Sequence, residues 1–135
     1  MTEFQNFSAL VVEDDVSGLA VISVMLRRLG LKTVMERYAG SVVEKAIRMS
    51  RVDVIFLDLG LPDGDGYDVL KKLRSTPELK DVPVVAVTAR DANTEMARAQ
   101  AAGFNGFLGK PLNRNRFPDQ VRRILNGESV WEVYR

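Results

Sequence analysis

The 135-residue chain contains no cysteine and no histidine. Without cysteine there is no disulfide framework, no thiolate nucleophile and no Cys-based zinc site. Without histidine there is no Ser–His relay, no imidazole general base and no phosphohistidine of the chain's own. Chemistry has to run on carboxylates, hydroxyls, lysines, backbone amides and a hard metal. Long apolar runs are missing too. No stretch approaches the ~20 residues that span a bilayer, and the opening MTEFQNFSAL lacks the basic segment and apolar run of a secretory signal. The expectation is a soluble, cytoplasmic protein without membrane contact. Nor is there an excess of one charge. Lys plus Arg number 19 and Asp plus Glu 18, for a net charge of +1, which speaks against direct nucleic-acid binding through a basic stripe.

What is present is enough for one core: 46% of residues are hydrophobic and 27% charged. Five times, a short apolar run precedes a segment with helical spacing. Ser8 to Val12 ends abruptly in Glu13, Asp14 and Asp15, and a helix is predicted from Val16 to Leu29, with Gly30 as its stop. Thr33 to Tyr38 is a weaker strand before a helical face of Val42, Val43, Ala46, Ile47 and Met49. Val52 to Leu57 is the strongest strand, stopped by Asp58, and leads through GLPDGDG into a helix from Tyr67 to Arg74. Val84 to Val87, closed by Thr88, precedes a helix from Thr94 to Ala102. Phe104 to Leu108 precedes Lys110-Pro111, where the fixed turn admits a cis bond, and a last helix carrying Phe117, Val121, Ile124 and Leu125.

Strands apolar on both faces, alternating with helices, indicate a parallel sheet covered on both sides. Right-handed crossovers make a five-stranded doubly wound α/β sheet the commonest solution at this length, flavodoxin-like with order 2-1-3-4-5 and five helices. Residues 8–126 form that domain, with 1–7 as an N-terminal extension and 127–135 as a tail or the start of a linker.

In such a sheet, ligands bind beyond the carboxyl ends of the strands. The residues there are Glu13, Asp14, Asp15, Asp58, Thr88 and Lys110. Taken singly, Asp58 reads as a turn former or helix cap, Thr88 as a cap and Lys110 as a solvated charge. Together they fall on one edge. Carboxylates a few ångströms apart repel by ~1–4 kcal/mol per pair. A hard divalent cation offsets this, and Mg²⁺ needs only one or two carboxylates while keeping several waters. A carboxylate beside a metal and a lysine is a nucleophile toward phosphorus. Two lookalikes fail: DGDG at 63–66 breaks the calcium-loop spacing at Tyr67, and EDD repels phosphate where a flavin site would cradle it.

The motifs LVVEDD, DVIFLDLGLPDGDG, VVAVTA and FLGKP, in this order and at these spacings, resemble the receiver domain of two-component response regulators over about Ser8 to Leu125. The resemblance implies a phosphoryl group passed from a phosphohistidine on a sensor histidine kinase or histidine phosphotransfer protein to Asp58. It implies Mg²⁺ held by Glu13, Asp14, Asp58 and the backbone carbonyl of Gly60, with Thr88 as switch hydroxyl and Lys110 as the phosphate-pairing lysine. Phe107 is the switch aromatic, whose bland alternative is an ordinary core phenylalanine. The same resemblance makes Gly60 and Arg90 modulators of phosphate lifetime, and the last strand with its flanking helices the face for a downstream protein or a homodimer. It implies a phosphorylated switch, not an enzyme proper. Two alternatives are a docking module of the same shape that works without phosphorylation, and a metal-dependent phosphohydrolase. The second wants an acid two residues after the nucleophile, where Gly60 stands.

Two features depart from the pattern. Pro118 falls where the last helix should already be running, so that helix starts late or bends. The ending ESVWEVYR, with Val130, Trp131, Val133 and Tyr134, is too apolar for a solvated tail. It is expected to pack on the domain's own surface, with addition to a partner's sheet and a truncated linker as the alternatives.

Overall fold

The computed structural model describes residues 4–133. Six parallel strands form one sheet: β1 (Ser8–Val12), β2 (Lys32–Glu36), β3 (Val54–Leu57), β4 (Val84–Thr88), β5 (Gly106–Gly109) and β6 (Val130–Glu132), in spatial order β2-β1-β3-β4-β5-β6. Five helices connect them: α1 (Val16–Arg28), α2 (Val42–Arg48, preceded by a 3₁₀ turn), α3 (Gly66–Arg74), α4 (Ala92–Ala102) and α5 (Phe117–Leu125). The predicted doubly wound order holds, with one strand more than expected.

β1, β3, β4 and β5 are buried along their whole length because helices cover both faces. Alternation sends Leu10, Val12, Ile55, Leu57, Ala86 and Phe107 toward α2, α3 and α4. It sends Val11, Phe56, Val85 and Leu108 toward α1 and α5. Phe4 also packs in the α1–α5 core, so part of the expected extension belongs to it. β3 begins at Val54 rather than Val52, because the Asp53 carboxylate accepts the Ser8 N–H (2.8 Å) and the Arg51 guanidinium (2.8 Å). Pro118 sits in the first turn of α5, which starts at Phe117, so the helix starts late instead of bending. The Lys110–Pro111 bond is cis. At the far end of the sheet, Arg74 ties two loops together by donating to the carbonyls of Val82 (2.8 Å) and Gly103 (3.1 Å) and to the Asn105 side chain (2.5 Å).

The apolar ending is the sixth strand. After α5 the chain returns beside β5, pairing Gly106 with Val130, Phe107 with Trp131 and Leu108 with Glu132. Val130 enters the α1–α5 core, while Trp131 and Val133 pack against the other. Tyr134 lies outside the described residues. Gly106 permits the approach, since a Cβ there would lie 2.8 Å from the Val130 carbonyl oxygen. Arg116, Arg123 (3.1 Å) and the Gln120 amide (3.2 Å) all grip the Glu132 carboxylate. The outer edge of β5, expected to be open for a homodimer, is therefore already paired.

Burial alone would raise the Glu132 pKa, but Arg116, Gln120 and Arg123 outweigh it and hold the carboxyl below its usual range. A depressed carboxylate stabilises the docked strand above its unfolded value, and that contribution is lost as pH falls through the folded value. Trp131 is the single tryptophan. Its emission should move to longer wavelength on acidification below the ordinary glutamate range. Glu132→Ala should show part of that shift already at neutral pH, whereas identical titrations would show that Glu132 does not hold β6.

Candidate functional site

The strand order reverses between β1 and β3: α1 carries the chain to one side of β1 and α2 carries it back to the other. That reversal opens a crevice beyond the carboxyl ends of these strands. Glu13 and Asp58 are the residues that line it. The Glu13 N–H continues the ladder to the Glu36 carbonyl (3.0 Å), and the Asp58 N–H bonds the Val12 carbonyl (2.9 Å). Lys110 arrives from the end of β5, its N–H bonded to the Thr88 carbonyl (2.9 Å). Its ammonium contacts Glu13 Oε1 directly and lies 3.4 Å from Asp58 Oδ2.

Burial sets the electrostatics here. Glu13 is 2% exposed, and the Asp58 and Lys110 side chains are 14% and 25% exposed. Desolvation pushes the Glu13 pKa up, and the neighbouring Asp58 adds to this, with Lys110 opposing. For Lys110, burial alone would lower the pKa. The two carboxylates reverse that and raise it, so the ammonium is held charged.

The other predicted residues take separate positions. Asp14 pairs with Arg37 (3.7 Å), both about half exposed. Asp15 is turned aside as the N-cap of α1, accepting the Gly18 N–H at 3.1 Å. Thr88 is buried opposite Gly109, which has no side chain, and its Oγ1 accepts the Arg90 N–H (3.1 Å). Phe107 is fully buried in the core facing α3 and α4. Gly60 N–H donates to Asp58 Oδ1 (3.2 Å). Arg90 reaches across from the loop after β4 to the Leu59 carbonyl (3.3 Å).

The loop after Asp58 is shaped by the residues of the DGDG run. Asp63 accepts the N–H groups of Ala39 (2.6 Å) and Gly40 (2.9 Å), which anchors the loop to the turn before α2. Asp65 caps α3 through the Tyr67 N–H (2.8 Å). Gly66 is required by close approach: a Cβ would lie 2.8 Å from both the Asp58 carbonyl oxygen and Leu59 Cα. Sequence reasoning missed Glu95, which pairs with Arg90 from α4 (3.6 Å), and Tyr67, whose hydroxyl bonds Glu95 from α3 (2.6 Å); neither carries a motif.

Among the described residues, no three acidic side chains converge into a cage for a metal. The donor set still suits a hydrated hard cation. Asp14 and Asp58 are oxygen donors, the Gly60 carbonyl is a third, and two carboxylates suffice for Mg²⁺. Glu13 is committed to Lys110, so its part would be through water. The excess of negative charge along this edge makes a divalent cation favourable there.

Comparison with known proteins follows this geometry. A family model described as the response regulator receiver domain matches residues 9–122. Chemotaxis protein CheY-3 of Vibrio cholerae is 28% identical over 121 residues, covering 90% of this chain and 93% of its own. The polar-differentiation response regulator DivK of Brucella anthropi is 29% identical, covering 87% of this chain and 95% of its own. Among solved structures, the receiver domain of the sensor histidine kinase PA1611 of Pseudomonas aeruginosa PAO1 matches with a TM-score of 0.76 and 32% identity. It covers 90% of this chain and 95% of that one, and it has a magnesium ion coordinated in its active site cleft.

Lys110→Met should lower stability by about 1–3 kcal/mol in metal-free buffer at neutral pH. It leaves Glu13 buried and unpaired, and the cost falls below that of a fully buried pair because Lys110 is a quarter exposed. Adding Glu13→Gln should recover most of the loss in urea unfolding. A double variant no more stable than Lys110→Met would show that packing, not charge, is what Lys110 supplies.

Proposed function

The chain belongs to the response regulator receiver family, and on that premise we propose that Asp58 is its phosphoacceptor. As a receiver of the type found in CheY and DivK proteins, it is a phosphorylation-dependent switch of two-component signalling. The observation that supports Asp58 most is the Lys110 ammonium shared between Asp58 and buried Glu13 at the strand-order reversal.

The donor is a phosphohistidine on a sensor histidine kinase or histidine phosphotransfer protein, since this chain has no histidine of its own. An Asp58 carboxylate oxygen forms the new bond to phosphorus. The P–N bond breaks, and its electron pair stays with the donor imidazole. Lys110 pairs with a phosphoryl oxygen, and the Thr88 hydroxyl, buried beside the site, donates to another once it releases the Arg90 N–H. Asp14, Asp58 and the Gly60 carbonyl would hold Mg²⁺, with Glu13 acting through water. Bound there, the cation would supply positive charge against the transferring group. Phe107, paired in register with Trp131, carries the displacement of Thr88 toward β6.

The donor must approach across the rim of the crevice. There α1 exposes Val16, Val21 and Val24 next to a groove lined by Gly18, Lys110, Pro111 and Arg114. Apolar surface at that position suits a phosphohistidine-bearing partner that buries it on docking. A downstream protein or a second copy of the chain would meet β6, not β5, between α4 and α5. The place of this exchange is the cytoplasm, where such donors present their phosphohistidine. No helix among the described residues is long and apolar enough to cross a membrane. The chain acts as a switch that accepts and loses its own phosphoryl group and turns over no other substrate.

Gly60 and Arg90 modulate how long the phosphoryl group lasts. Intact mass after incubation with a small acyl-phosphate donor and Mg²⁺ should show one added phosphoryl group, absent from Asp58→Asn and from metal-free samples. No addition, together with no binding of beryllofluoride, would overturn the assignment in favour of a docking module that works unphosphorylated.

A further inference from the structure

The mouth of the site carries a set of charges that the transfer roles above leave unused. Arg90 Nη2 donates to the Leu59 carbonyl at 3.3 Å and lies 4.0 Å from an Asp65 carboxylate oxygen. Its Nη1 lies 3.6 Å from Glu95 Oε1. One end of the planar fork is thus held by the loop after β3 and the other by the first turn of α4. Gly60 lies beneath it: a Cβ there would stand 3.5 Å from Nη2. The Gly60 N–H, in turn, donates to Asp58 Oδ1. The guanidinium lies in van der Waals reach of position 60, over the backbone that bonds the Asp58 carboxylate.

Glu95 is itself anchored. It accepts the Tyr67 hydroxyl at 2.6 Å, lies 4.0 Å from Arg98, and is only 14% exposed. Tyr67 is fixed by the core, with its ring edge-on to Phe104 at 5.6 Å and the Arg98 guanidinium 4.0 Å from its centroid. Burial, and then the bond to Glu95, push the Tyr67 hydroxyl up to about 12, so it stays a donor at working pH. Glu95 is therefore tied to the interior and does not swing with solvent. An ion pair as long and as exposed as Arg90–Glu95 contributes little to stability. What it does is decide where the guanidinium rests.

We propose that Glu95 is a positioning residue that, anchored by Tyr67, straps Arg90 across the mouth over Gly60 and so slows hydrolysis of the phosphoryl group on Asp58. This rests on Asp58 as the phosphoacceptor. Hydrolysis needs a water oxygen to bond phosphorus as the Asp58 O–P bond breaks. The carboxylate is restored, inorganic phosphate leaves, and the proton passes to solvent or to the phosphate. The ends of β1 and β3 and Lys110 close the inner sides of Asp58, so that water enters through the mouth. With glycine at position 60, Arg90 is the side chain that narrows it.

The test is a double-variant cycle on phosphoryl lifetime. Wild type, Arg90→Ala, Glu95→Gln and the double variant are loaded with acetyl phosphate and Mg²⁺. The donor is removed, and the surviving acyl phosphate is followed by intact mass. Arg90→Ala should shorten the half-life about fivefold and Glu95→Gln about threefold, and the double variant should match Arg90→Ala, because both act through one guanidinium. Glu95→Asp should restore part of the lifetime, and Tyr67→Phe should shorten it less than Glu95→Gln. A role confined to stability would instead shorten the lifetime again in the Arg90→Ala background. That multiplication, or a wild-type lifetime in Glu95→Gln, overturns the proposal while leaving Asp58 as acceptor. A wild type that takes no phosphoryl group overturns both, and is recognised because all four proteins then carry none.

Discussion

One ammonium group spans the crevice on which the rest of the site is built. Lys110 comes from the end of β5, yet its partners close β1 and β3, so three strands and the crossovers between them must be in register before the contact forms. Lys110 opposes the burial that pushes the 2%-exposed Glu13 carboxyl up, since taking a carboxylate out of water costs on the order of several kcal/mol. The arrangement holds two negative charges against one positive charge. That residual charge favours a hard cation.

The opposite end of the sheet is held differently. Arg74 ties the loops before β4 and β5 through backbone carbonyls and Asn105, contacts that no charge added at Asp58 would disturb. The fold is therefore pinned below by backbone contacts. Above, α4 has Ala99 as its single fully buried residue, and its first turn is held through the bond from the Tyr67 hydroxyl to Glu95.

The parts of this design that are legible in the sequence follow periodicity and strand ends. The four inner strands are apolar on both faces, and each stops at or just before a polar residue, so their ends alone assign Glu13, Asp58, Thr88 and Lys110 to one edge. Asp14 and Asp15 look alike beside Glu13, and only the folded chain separates them: one pairs with Arg37 and the other caps α1. Val52 extends the apolar pattern of β3 toward its start, but the Asp53 carboxylate that follows is spent on Ser8 and Arg51. β6 is three residues long, too short for any alternation to declare itself, and its docking depends on Gly106, a glycine far back in the chain that pairs with Val130. Glu95 and Tyr67 escaped because their hydrogen bond joins residues 28 apart on two different helices and neither sits in a motif.

β6 also redirects the path of the chain. α5 runs antiparallel to the strands and ends at the floor of the sheet, on the side of the Arg74 tie. A receiver ending there would hand its linker to the side farthest from the phosphoryl group. Because β6 runs parallel to β5, residue 133 instead emerges level with Gly109, next to Lys110. A fluorophore or fused reporter placed after that point would sit at the rim of the crevice and sense its occupancy by proximity. The same attachment made after residue 126 would report only on the quiet end of the molecule.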